Sequence, residues 1–249
     1  MTTISDSKEH DPAQYGAQWA HDYDLLNSAP PAFTEGAVRT LTQLAGSGTI
    51  LEVAAGTGRV SIPLARLGID VTATDASPDM LAALGIADQE GLVRRYVDVL
   101  PDISGSERHS AIAILMNSFW VMQSKRDQQQ FFENAREHLG PEGVLVTEVG
   151  VVDTNTWKKP LAINLSGLAI VRTTVWDPAQ QIVEHTFTFP DGTREPKRQV
   201  RLRYTTPDEL LEMAATAGLK PRSIWGDWNE TPFGPDSWMM ITIFEQSGV

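Results

Sequence analysis

Two carboxylates set the chemistry this chain can offer. Glu52 stands just ahead of the small-residue run Ala54-Ala55-Gly56-Thr57-Gly58, and Asp75 follows seventeen residues after Gly58. Each ends a short apolar stretch, ILEV and DVTATD, that reads as a strand. A turn of this composition between a strand and a helix lets a ligand approach the backbone closely, and the helix N-terminus offers its unpaired N–H groups to an anion. A carboxylate directly before the turn repels phosphate oxygens and attracts a cation. The interval to Asp75 is close to the roughly twenty residues at which an acid holds ribose hydroxyls after a Gly-rich turn.

A ligand that suits both acids carries a ribose, an ammonium group and a carboxylate, and no phosphate. S-adenosylmethionine meets that description. A nicotinamide dinucleotide would place its pyrophosphate at Gly56 to Gly58, which Glu52 disfavours, and would call for a third glycine where Ser61 stands. The other readings of the acids are a helix-capping or salt-bridged Glu52 and an Asp75 that caps the helix opening at Ser77 and Pro78.

On these residues the chain resembles the class I S-adenosylmethionine-dependent methyltransferases of the small-molecule type. Their first motif, an acid followed by alternating glycines, is matched at Glu52, Gly56 and Gly58, with Ala54 in place of the first glycine. That replacement asks the turn to avoid positive φ at Ala54. In TDASPDML the resemblance implies Asp75 for the ribose, with Ala76 and Met80 packed against ribose and adenine. In YVDVLPD it implies the Asp98 carboxylate near the adenine amino group and the Val99 backbone near the ring. In AILMNSFW it implies a strand end beside the reacting methyl, with Met116 at the cofactor. Many relatives carry a His three residues after the Ser of this fourth motif, where this chain has Val121. An N-terminal segment folding over the cofactor is also implied, with Tyr15 touching its methionine end and Trp19 toward the substrate.

The elements that must position these residues alternate along the chain. Tyr15, Trp19, Tyr23 and Leu26 fall on one face of a helix expected from about Ala13 to Leu26, after a loosely held tail from Met1 to Pro12. A helix over Pro31 to Leu44 completes an N-terminal helical cap, residues 13–45. Strands are expected near Thr49–Val53, Asp70–Thr74, Val93–Val97, Ser110–Leu115 and Val144–Val149, with helices near Val60–Leu67, Pro78–Leu84 and Arg126–Leu139. The expectation is a single α/β domain over residues 1–249, with a Rossmann-like, mostly parallel seven-stranded sheet covered by helices on both faces. A helix over Pro207–Ala217 and strands near Arg222–Trp225 and Met239–Glu245 would finish that sheet with an antiparallel hairpin.

Between 151 and 205 the composition changes. IVRTTVW, QIVEHTFTF and RQVRLRY are β-like and separated by DPAQ and DGTREPK turns, so an inserted antiparallel β cap is expected. It reads as a substrate-binding layer or, alternatively, a homodimer interface. All seven Trp avoid the segment from His21 to Phe119, and they fall where an organic acceptor would be met. Trp120 and Asn117, next to the fourth motif, are expected to position that acceptor, with Asn117 also a catalytic candidate. His185 shares a strand face with Val183, Phe187 and Phe189 and is the candidate acid or base, ahead of His21. Glu148, near a strand end, could bind an amine or pair with an Arg.

Composition narrows the partners. A formal net charge of −12 without a basic cluster argues against a nucleic acid. No apolar run reaches membrane-spanning length, and the polar start lacks a signal peptide's regions, so a cytoplasmic setting without membrane contact is expected. The absence of Cys excludes disulfides, thiolate catalysis and Cys-ligated zinc, and the five His show no metal-ligand spacing. The expected function is methyl transfer from S-adenosylmethionine to an N or O atom of a small molecule. A non-catalytic protein that binds the same cofactor remains an alternative, and a nicotinamide-dependent oxidoreductase is a weaker one.

Overall fold

Near-continuous apolar runs in the central strands build a sheet buried on both faces. The computed structural model describes residues 12–26, 29–165, 168–190 and 197–248. The chain begins with α1 (Pro12–Trp19), α2 (Tyr23–Leu26) and α3 (Pro31–Ala45), followed by β1 (Thr49–Val53), α4 (Ser61–Arg66), β2 (Asp70–Asp75), α5 (Pro78–Ala87), β3 (Arg94–Val97) and β4 (His109–Ile114). A 3-10 turn (Ser118–Val121), α6 (Lys125–His138), β5 (Leu139–Gly150) and α7 (Thr154–Trp157) lead to β6 (Leu161–Leu165), β7 (Leu168–Asp177), β8 (Ile182–Thr188) and β9 (Arg198–Arg203). The last elements are α8 (Pro207–Thr216), β10 (Leu219–Trp225) and β11 (Met239–Gln246).

Seven strands form one sheet in the order β3-β2-β1-β4-β5-β11-β10. The first five run parallel, and β11 lies antiparallel to both β5 and β10. The strand order reverses between β1 and β4, and ligands in such sheets bind in the crevice outside the carboxyl ends at that point. Leu51 and Val53 pack with Ile112, Ile114, Phe119, Phe131, Phe132 and Phe244 on one face. Ile50 packs with Val71, Ala73, Ala111, Ala113, Leu41 and Trp228 on the other. Phe119, Phe131, Phe132 and Phe244 meet with ring centroids 5.3 to 6.1 Å apart, and each such pair adds about 0.5–1.5 kcal/mol to its area burial.

The inserted segment forms a second, four-stranded antiparallel sheet, β6-β7-β8-β9. Three of its strands were expected; β6 and the short α7 were not. The turn at 191–196 and the tail at 1–11 lie outside the described residues. One face of the second sheet carries Ile163, Ile170, Phe187, Phe189 and Val200, which pack with Trp19, Leu26 and Met80. Val183, Trp176 and Leu202 on that face join the main core with Trp120, Trp157 and Tyr204. This inner face therefore covers the carboxyl edge of the large sheet.

The helix expected over 13–26 is in fact two. A turn at 20–22 breaks it, where Asp22 leaves the helical path to pair with Arg198 of β9 at 2.5 and 3.0 Å. A bidentate carboxylate–guanidinium pair of this kind outweighs one turn of helix continuity. Upstream of the break, α1 seats on the start of α5 at Gly16, where a Cβ would lie 1.9 Å from Ser77 Oγ and 3.0 Å from the Met80 side chain. Gly16→Ala should therefore lift α1 off α5 at a cost of about 1–3 kcal/mol. The expected outcome is amide exchange across 12–26 faster by about tenfold or more with protection of β1 and β4 unchanged.

Candidate active site

The turn after β1 is built from left-handed residues. Ala54, Gly56 and Gly58 have φ of 52°, 58° and 86°. The sequence reading that Ala54 avoids positive φ is thus corrected. Ala55 N donates to Thr74 O at 2.9 Å and Gly58 N to Ala55 O at 3.1 Å, and these bonds fix a reversal so tight that Ala54 accepts a conformation costing about 1–2 kcal/mol. Gly56 has space around it, since an added Cβ would meet only a Tyr23 ring carbon at 3.7 Å. Gly58 has none, with Leu84 at 2.8 Å from an added Cβ.

Asp75 ties this turn to the next strand end. Its Oδ2 accepts from Gly56 N at 2.9 Å and its Oδ1 from Ser77 N at 2.9 Å. Burial raises its pKa, and those two N–H groups oppose the rise. Each oxygen keeps a further lone pair, enough for two ribose hydroxyls. Glu52 is buried and accepts a hydrogen bond from Ser61 Oγ at the start of α4. Burial pushes its pKa up to about 7; Ser61 and Arg59 pull it down, and Asp75 adds to the rise. Glu52 thus anchors the helix start and sits poised between charged and neutral forms, so an approaching ammonium would favour its ionised form.

The N-terminal segment lies over this corner. Tyr15 stacks on Trp19 at 5.7 Å and meets Tyr23 edge-on at 6.4 Å. Burial raises the pKa of both tyrosines, and the Asp75 charge adds to each rise. Thr57 Oγ1 donates to Asp24 at 2.5 Å, which fastens α2 to the turn. Met80 is buried beneath Trp19, and Ala76 is half-buried at the exit of β2. Asp98 N donates to Asp75 O at 3.2 Å, so the two strand ends adjoin. The Asp98 carboxylate closes its own loop, accepting from Ser104 N (2.7 Å), Ser104 Oγ (2.9 Å) and Val99 N (3.2 Å), while Val99 is exposed.

After β4, Met116 and Asn117 are both left-handed, with φ of 51° and 61°. Asn117 N donates to Glu148 O at 3.1 Å, its Oδ1 accepts from Gly150 N, and its carbonyl accepts from Trp120 N at 2.8 Å. Its side-chain oxygen is thereby committed to pinning this segment to β5. Trp120 is buried and 6.5 Å from the Tyr204 ring. Glu148 is buried with Oε2 unpartnered; burial raises its pKa against the pull of Arg59, and no ion pair joins it to an arginine among the described residues.

His185 faces inward from the cap. Its Nδ1 lies 3.0 Å from Thr174 Oγ1, and burial, then the neighbouring Arg172 charge, lowers its pKa to about 4. It belongs to a row of rings, Tyr15, Trp19, Phe187, His185, Trp157, Tyr204 and Trp120, with successive centroids 5.1 to 6.5 Å apart. The row runs from the corner beside Asp75 to the segment after β4. Sequence reasoning missed Tyr23, Tyr204 and Arg172 in this setting. Tyr23 was visible only as part of a helix stripe, and nothing in the sequence marks Arg172 apart from the other arginines of the cap.

A methyltransferase domain model matches residues 51–145. The CcbJ methyltransferase of Streptomyces caelestis superposes with a TM-score of 0.87 at 25% identity, covering 96% of this chain and 100% of that one. In fold the chain is similar to the class I S-adenosylmethionine-dependent methyltransferases. A ubiquinone biosynthesis O-methyltransferase of Cereibacter sphaeroides is 27% identical over 76% of this chain and 65% of its own length. The glycopeptide N-methyltransferase MtfA, bound to S-adenosylmethionine, shares the fold with a TM-score of 0.61 at 22% identity, covering 92% of this chain and 98% of that one. The chain spans 53%, 65% and 40% of the lengths of three curated relatives, about half on average.

The residues of this corner fit S-adenosylmethionine. The open space at Gly56, the spare lone pairs of Asp75 and a buried carboxylate at Glu52 match its backbone contacts, ribose and ammonium. Two outcomes follow from this corner. Ala54→Gly should raise the melting temperature by about 2–4 °C, because glycine relieves the left-handed strain. Glu52, raised from 4.5 to about 7, keeps a proton in the folded state that the unfolded chain loses, so its share of stability is present below pH 4.5 and lost as pH rises toward 7. Cofactor binding should reverse that proton uptake, and calorimetry with S-adenosylhomocysteine at pH 6 to 7 in buffers of differing ionisation enthalpy should show proton release that Glu52→Gln abolishes.

Proposed function

We propose that this methyltransferase moves the methyl group of S-adenosylmethionine to a nitrogen of a small organic acceptor held under the β cap. Glu52, the Gly56 turn, Asp75, Met80, Tyr15 and Tyr23 would hold the cofactor, with the Asp98 and Val99 loop at its adenine end. Bound there, the cofactor supplies a methyl on a positively charged sulfur. Every other contribution comes from the chain: to orient the acceptor, to keep water out, and to take up a proton.

The row of rings carries this reading. Rings that join the cofactor corner to Trp120 offer an apolar wall for an organic molecule, in a chain whose net charge of −12 is unsuited to a polyanionic acceptor. Holding reacting atoms about 3–3.5 Å apart supplies much of the barrier reduction in a displacement of this kind. His185 is neutral at pH 7 and can accept a hydrogen bond from an acceptor N–H, which would aim the nitrogen lone pair. A phenol would ask more, because proton removal is efficient only when the base has a pKa near the working pH, and His185 sits near 4.

Labelled S-adenosylmethionine and a matched panel of amines and phenols test the proposal. Transfer to amines is expected, with a rate that follows the amine's own deprotonation and falls about tenfold or less in His185→Gln. A strong preference for phenols, with a loss of about a hundredfold or more in His185→Gln, would instead identify an oxygen acceptor and a working base.

A further inference from the structure

Three arginines of the cap are matched by acids. Arg198 pairs with Asp22 at 2.5 Å, Arg201 with Glu184 at 2.9 Å and Arg203 with Glu209 at 2.7 Å. Arg172 is different. No carboxylate among the described residues pairs with it, its Nε is buried without a hydrogen-bond partner, and burial pulls its pKa below the usual guanidinium value. A guanidinium half-withdrawn from water without a counter-charge is costly, and such a group persists where a ligand completes it.

Its position names the ligand's neighbourhood. On β7, Arg172 stands opposite Phe187 of β8 and Leu161 of β6, and Thr174, two residues on, stands opposite His185. Ile170 and Trp176 flank this stretch on the same face and pack into the two apolar clusters that seat the cap. Arg172, Thr174 and His185 thus form a polar centre on the inner face, between Trp19 and Trp157. Leu161, beside Arg172, is 44% exposed, so the centre adjoins solvent at the cap edge.

We propose that Arg172 is the anchor for a carboxylate on the methyl acceptor, so that the substrate class is a small organic acid carrying a nucleophilic nitrogen. The planar fork of the guanidinium matches a carboxylate through two parallel N–H···O bonds. A carboxylate seated there leaves the rest of the acceptor against Phe187 and His185, facing the cofactor corner. It also offsets the Arg172 charge, which adds to the lowering of the His185 pKa. This inference rests on the methyltransferase reading for its geometry and deepens it.

The test uses the full chain loaded with S-adenosylhomocysteine, with benzoate as probe and benzamide and phenyl phosphate as comparisons. Calorimetry reads affinity, and the proton resonances of the His185 ring read the site. Benzoate should bind and raise the His185 titration midpoint by about one unit or more, and benzamide should do neither. Arg172→Gln should weaken benzoate about tenfold or more and remove the shift, with Arg172→Lys in between. The melting temperature of Arg172→Gln should equal or exceed that of the parent, because no partner among the described residues is lost; a fall would point to a structural arginine and overturn the proposal. An unchanged response to benzoate in Arg172→Gln, or no response in the parent, overturns it as well, and binding of phenyl phosphate alone would replace the carboxylate with a phosphate monoester. Failure of S-adenosylhomocysteine to bind would strike the methyltransferase reading itself, and calorimetry without any probe reads that separately.

Discussion

The Asp75 carboxylate holds the site together. One oxygen takes the Gly56 N–H of the turn after β1, and the other takes the Ser77 N–H that opens α5. Parallel strands fix only where β1 and β2 end; the loops beyond them are free to diverge unless something spans the gap. Two hydrogen bonds to a charged, largely buried acceptor do so, and bonds of this type are about twice as strong as neutral ones. Gly56 then presents open backbone to a ligand, Ser77 caps α5, and Gly16 of α1 lies directly on Ser77. The corner, the helix behind it and the segment above it are all referred to one side chain.

That arrangement explains what the sequence disclosed. Glu52, Gly56, Gly58 and Asp75 lie on two adjacent strands and one turn, so their spacing is set by short-range geometry and survives as a pattern in the chain. The parallel strands were legible for the same reason, as apolar runs buried on both faces. The cap was legible as antiparallel β structure but not in its strand count, because β6 (LAINL) is five residues long with one β-branched residue and no aromatic ring. Ala54 was misread because composition reports what a residue prefers, whereas hydrogen bonds from Ala55 and Gly58 decide what it must adopt. The setting of Tyr23, beside Asp75, depends on a contact across a long stretch of chain, and no local pattern encodes it.

The N-terminal segment binds the two sheets into one site. Asp24 holds Thr57 of the large sheet's turn, and Asp22 holds Arg198 of the cap, only two residues away. Arg198 also lies over the rings of Trp19 and Phe189, 5.0 and 5.1 Å from their centroids. An exposed pair of this kind would contribute little, but these side chains are about a tenth exposed or less, so their attraction is weakly screened. The break between α1 and α2 is what allows two acids so close in sequence to reach in opposite directions.

The segment after β4 shows how strain is held. Two consecutive left-handed residues, one of them Met116, cost on the order of 1–3 kcal/mol each. Asn117 tolerates the conformation better than most residues, and Met116 does not. Three hydrogen bonds centred on Asn117, to Glu148, Gly150 and Trp120, offset that cost and leave the chain a single path out of β4. Gly150 is needed for the same reason, since an added Cβ would come within 3.2 Å of Asn117 Oδ1 and 3.5 Å of Trp120. The consequence is positional: Trp120 is fixed relative to β5, Tyr204 and Trp157 pack in sequence against it, and His185 comes to rest at the far end of that contact chain. Through these contacts Asn117 and Trp120 set where the other rings of the row stand.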